Sequence, residues 1–166
     1  MQQRRILNLA AAIVAFALHC TRSASADEVL TFHLVMTNLS SVQALDVGDV
    51  DGHVLELSRR SGIALFPDAS VAGSYCSITT DFIKAAGPFF AYCNLKLTED
   101  SVIWFKVTGF AKPEEATTVF SDSPIAVLRG TGRFEGFSGD GTFKGRLTPF
   151  ALGANPYGDV VINLRK

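Results

Sequence analysis

From Val29 onward the chain is a succession of short segments rich in β-branched and aromatic residues, each bounded by Gly, Pro, Asp or Asn. No 12-residue stretch of it sustains a helical period, although Thr80 to Ala86 offers one turn of helix. Val29 to Thr37 sets the pattern, with Leu30, Phe32, Leu34 and Met36 on one face and Thr31, His33, Val35 and Thr37 on the other. Further strands are expected over His53–Ser58, Ile63–Phe66, Tyr75–Ile83, Phe89–Leu97 and Ser101–Phe110, with a turn at Ser61-Gly62. Ile125–Arg129, Gly132–Phe137, Gly141–Thr148 and Asp159–Leu164 bring the candidate segments to ten, for an expected eight or nine strands, with Asp140-Gly141 as a hairpin turn. Regularly spaced short strands of this kind form a sandwich or a barrel. The pairing of Trp104 with Lys106 on one face of its strand favours the partly polar lining of a closed barrel. At 48% hydrophobic residues and a mean hydropathy of +0.25 the chain is no disordered polymer, and a formal charge of −1 provides no cationic field to hold nucleic acid.

The first residues form a separate unit. Arg4 and Arg5 precede an apolar run from Ile6 to Leu18, and Ala24-Ser25-Ala26 supplies the small side chains of a cleavage site, so residues 1–26 read as a secretory signal peptide. The run is short of the roughly 20 apolar residues that a membrane-spanning helix needs. The expected domain is therefore residues 27–166, in the periplasm or outside the cell, with no stable membrane span. Loss of residues 1–26 removes Arg4, Arg5 and Arg22 and no acidic group, which takes the formal charge from −1 to −4. Cys76 and Cys93 are the cysteines that remain, and an even pair in an exported protein predicts a disulfide.

Val127 to Gly145 reads VLRGTGRFEGFSGDGTFKG. Strands flank it on both sides, and the spacing from Gly130 is G-x-G-x-x-x-G, so it lacks the strand-to-helix setting of a phosphate cradle. Glycine here permits bulges and close strand approach instead. The stretch resembles the GGTG-(R/K)-(F/Y)-x-G-x-x-G signature of the allene oxide cyclase and dirigent barrel superfamily, with Arg129 in place of the first glycine. Leu45 to Leu55 resembles the xDxGDxxGD-like loop ahead of the second strand in its secreted bacterial members, Thr31 to Val35 their opening strand, and Cys76 and Cys93 a cysteine pair found in some of them. The resemblance implies an all-β fold, an eight-stranded antiparallel, calycin-like barrel with an apolar interior for a small hydrophobic molecule, and homo-oligomers of two or three copies. The carboxylate attributed to the plant cyclase's first strand has no counterpart over Leu30–Thr37, which contains no Asp or Glu, and the pocket aspartates of dirigent proteins find no match.

Candidate chemistry is sparse. His33 and His53 are the histidines left after processing, and metal-ligand spacings such as H-x-H or H-E-x-x-H do not occur. A metal site would require both to converge with Asp46 or Asp49. No G-x-S-x-G elbow is present. We expect a protein without metal or cofactor, its catalytic residues unassigned apart from His33 as an acid/base candidate, and ligand contacts from His33, Tyr92, Trp104 and Lys106 if their faces turn inward. Three functions remain open: a binding barrel for a lipid-like or aromatic molecule, a cyclase or isomerase that constrains a reactive substrate, and a filled barrel acting through its outer surface.

Overall fold

The structure, a computed structural model, describes residues 27–38, 42–115, 117–150 and 153–166; the expected signal peptide lies outside the described residues. The strands are β1 (Glu28–Asn38), β2 (Gln43–Asp46), β3 (His53–Leu65), β4 (Val71–Ile83), β5 (Gly87–Lys96), β6 (Val102–Glu114), β7 (Thr117–Gly130), β8 (Ser138–Phe150) and β9 (Gly153–Arg165). All pair antiparallel in the order β1-β9-β8-β7-β6-β5-β4-β3, and β1 returns to β3 with His33 opposite Leu65 and Met36 opposite Gly62. Eight strands thus close a barrel, and β2 pairs with the outer start of β3 through Leu45 and Leu55. Closure gives each of the eight a neighbour on both sides over at least part of its length, with β1 paired to β3 from His33 to Asn38, and so limits the free edge that could template aggregation.

Alternation decides what lies inside. Leu30, Phe32, Leu34 and Met36 of β1, which alternation puts on one face, are all buried and meet Val160, Ile162 and Leu164 of β9. Leu95, Ile103, Phe105 and Phe134 complete a core in which each of these side chains is at most 1% exposed. Phe134 belongs to a short 3-10 turn, Gly132–Phe134, between β7 and β8, so this end of the barrel is packed. The expected strand over Gly132–Phe137 is therefore that turn, because Gly132 adopts a left-handed conformation (φ 57°) that interrupts extended backbone.

Two expected turns are continuous strand. β3 runs through Ser61-Gly62, where a Cβ on Gly62 would run into the Val35 carbonyl of β1. β8 likewise runs through Asp140-Gly141, and a Cβ on Gly141 would meet the Val161 carbonyl of β9. In both places glycine serves close approach of two backbones, not a change of direction. The suggested helical turn over Thr80–Ala86 is the end of β4 followed by a tight connection, in which Lys84 and Ala85 take positive φ.

Candidate functional site

The opposite end of the barrel is hollow. An open cavity of about 430 Å³ lies among the ends of the strands, walled by apolar side chains that include Leu34, Ile78, Phe89, Phe120, Phe143 and Val160. Val42, Phe82, Ala85 and Leu147 also line it, towards the strand ends. Phe89 and Phe120 meet edge to face at 4.9 Å, and Phe143 stands 6.0 Å from Phe120, so three rings brace one wall. Cys76 and Cys93 face each other across β4 and β5, form a disulfide with their Cα atoms 4.1 Å apart, and line the cavity as well. The pair fits an oxidising compartment.

One wall is polar. On β3 the inward positions carry Glu56, Ser58 and Arg60, and Thr80 of β4 and Thr118 of β7 add hydroxyls. Arg60 is 6% exposed, and its burial holds the guanidinium below its ordinary pKa while the nearby charge of Glu56 opposes that shift. Ser58 Oγ is buried and makes no hydrogen bond among the described residues. A buried guanidinium beside a spare hydroxyl presents hydrogen-bond donors in an apolar setting, where they bind an acceptor or an anion more strongly than they would in water.

Sequence reasoning did not find these residues. Leu55 and Leu57 point outward beside β2 and are 37% and 48% exposed, so the polar side chains between and after them face in. Placing a turn at Ser61-Gly62 hid the signal that would have shown this. Followed without a break, the even positions run from Glu56 through Ser58 and Arg60 to buried Ala64 and half-buried Phe66, and so all face inward.

The residues expected to contact a ligand in the interior lie on the outer surface. On β6 the buried set is Ile103, Phe105 and Val107, so Trp104 and Lys106 face out. Trp104 carries the Arg129 guanidinium 4.0 Å above its ring, and Lys106 sits 5.5 Å from the rings of Phe90 and of Tyr92, which is itself 49% exposed. Burying Ile103, Phe105 and Val107 desolvates no polar side chain, whereas turning Lys106 inward would desolvate an ammonium. His33 also faces outward and donates Nδ1–H to Asp159 on β9 at 3.0 Å, with Tyr157 beside it.

The two histidines do not converge. His53, at the start of β3, donates Nδ1–H to Asp49 at 2.5 Å and Nε2–H to Asp81 at 2.6 Å. With a carboxylate facing each ring nitrogen, the doubly protonated ring is the favoured form. The hydrogen bond to Asp81, then that to Asp49, raises the His53 pKa, and His53 in turn lowers that of Asp49. This trio ties the loop before β3 to the end of β4, next to the salt bridge from Lys84 to Asp51. Among the described residues no group of His, Cys, Asp and Glu is arranged to hold a metal ion, and no helix is long and apolar enough to cross a membrane.

No family model, curated protein or solved structure matches the chain.

Proposed function

We propose that this is an exported barrel that binds a small, predominantly apolar molecule in the hollow end, with an acidic or acceptor-bearing head directed to Arg60 and Ser58. The observation that carries the reading is the cavity of about 430 Å³ whose apolar walls converge on one buried guanidinium. That volume falls within the roughly 300–1,000 Å³ of small-molecule sites, and an apolar body with a few placed polar groups is their usual composition. Arg60 supplies the affinity for an anionic head, because a desolvated guanidinium is a fixed, bidentate donor. The aromatic wall of Phe89, Phe120 and Phe143 takes the body. Export to the periplasm or the exterior accords with the arginine and alanine pattern of residues 1–26 and with the disulfide. The resemblance to the allene oxide cyclase and dirigent barrels is consistent with a ligand held inside such a barrel.

The reading is tested by thermal unfolding in the presence of dodecanoate, dodecanol and dodecane. Binding to the folded state raises the melting temperature by mass action, by about 2.7 kcal/mol of stability at a hundredfold excess over Kd. Dodecanoate is expected to stabilise most, and Arg60→Met to remove its advantage over dodecanol. Equal melting temperatures with and without all three compounds would overturn the proposal.

A further inference from the structure

The outer wall opposite the interior disulfide has a groove of its own, of about 200 Å³, whose lining includes Arg59, Tyr75, Tyr92, Asn94, Trp104 and Leu128. It spans β3 to β7, so that Arg59 on β3 pairs with Ser77 on β4, Ser77 with Tyr92 on β5, and Tyr92 with Lys106 on β6. In the neighbouring row Tyr75 pairs with Asn94, Asn94 with Trp104, and Trp104 with Arg129. Two exposed tyrosines stand in this groove with an exposed leucine beside them, since Tyr75, Tyr92 and Leu128 are each about half exposed.

The charges of the groove are one-sided. Elsewhere six cations, Lys84, Lys96, Arg133, Lys144, Arg146 and Arg165, each pair with a carboxylate, while Lys166 lies over the Phe137 ring. Arg59, Lys106 and Arg129 meet no carboxylate among the described residues, and none of the groove's lining residues is acidic. Arg129 rests on Trp104 and Lys106 on Phe90 and Tyr92, which holds the cationic heads in place while leaving their N–H groups for an anion. Three strand spacings separate β3 from β6, about 14 Å along the wall at ~4.8 Å per strand. The arrangement therefore suits an extended molecule with repeated negative charges.

We infer that this groove binds an oligosaccharide carrying carboxylates, a uronate-type glycan lying across the strands. The tyrosine hydroxyls, the Asn94 amide and Ser77 offer donors and acceptors for sugar hydroxyls, and the aromatic edges provide apolar contact for ring C–H faces. An acidic peptide is disfavoured because peptides commonly dock by adding a strand to a sheet edge. Here both neighbours of β4, β5 and β6 are already in place.

The test uses oligogalacturonate, its fully methyl-esterified form as a neutral copy, and poly-glutamate. Trp104 is the chain's one tryptophan and stands in the groove, so its fluorescence reports occupancy directly. Oligogalacturonate is expected to produce a saturable change that weakens with salt, with at least about tenfold weaker binding for the methyl ester. The variant R59Q/K106Q/R129Q is expected to lose binding, while the charge-matched variant K144Q/R146Q/R165Q retains it. Four outcomes would overturn the inference: no fluorescence change, equal binding of the ester, equal loss in both variants, or poly-glutamate binding as tightly as the glycan. Calorimetric titration of the same pairs keeps the test valid if removal of Arg129 alters the tryptophan signal.

Discussion

Arg60 and Gly62 sit two residues apart on β3 and face the same interior, one as the charge in a cavity wall and the other as a gap that lets β1 close against β3. Gly62→Ala would push a methyl group into the Val35 carbonyl and prise the closing pair of strands apart. Strain of that kind destabilises by about 1–3 kcal/mol, readable as a lowered urea midpoint; an unchanged midpoint would refute the close-approach account. At His53 the prediction concerns pH. Its folded pKa lies above the ordinary 6.5 because Asp81 and Asp49 bind the protonated ring. The resulting stability is full below pH 6.5 and is lost as pH rises through the raised folded value. Urea midpoints measured between about pH 5 and 9 should therefore fall more steeply above that point in the wild type than in His53→Gln. Parallel curves would contradict the clamp. Neither role was legible from residue type alone: Arg60 reads as a surface cation, and the partners of His53 lie 4 residues before it and 28 after it.

Among the elements, β1 was legible in its two faces, with Leu30, Phe32, Leu34 and Met36 on one and Thr31, His33, Val35 and Thr37 on the other, but the expectation of His33 in the interior shows that alternation alone did not decide which face is core. β6 was ambiguous in the same respect. Trp104 and Ile103 are both large and apolar, and only pairing with β5 and β7 settles that Ile103 goes in and Trp104 out. The barrel expected from a polar lining on β6 does exist, but its polar lining is on β3. The disulfide joins adjacent strands, closing the β4–β5 hairpin at a point where both sulfurs face the interior. Because the loop it closes is modest, the chain-entropy account assigns it roughly 3 kcal/mol. The double variant C76A/C93A is predicted to lose about that much in urea denaturation while retaining a cooperative transition. Two free thiols in the denatured, unreduced protein would contradict the pairing.

For the whole molecule, the barrel combines a packed end with a hollow one. Phe32, Phe134, Ile162 and Leu164, each at most 2% exposed, fill the first, whereas the second keeps about 430 Å³ open beneath Val42, Phe82 and Ala85. Filling that space is predicted to change binding without undoing the fold. Ala91 is 5% exposed and lines the cavity, so Ala91→Phe would project a ring into space that is already open. A sandwich or barrel of eight or nine short strands was readable from the spacing of β-rich segments and turn residues. The antiparallel order was expected only from the family resemblance, and two of the expected turns are continuous strand. The division into filled and hollow ends was not readable, since it depends on which side chains from eight strands meet at one level. The most direct test is calorimetric titration of dodecanoate into the wild type and into Ala91→Phe, with equal folding of the two checked by circular dichroism. The account predicts one saturable site in the wild type and none in the variant; equal binding to both, or to neither, would contradict a ligand held in the barrel.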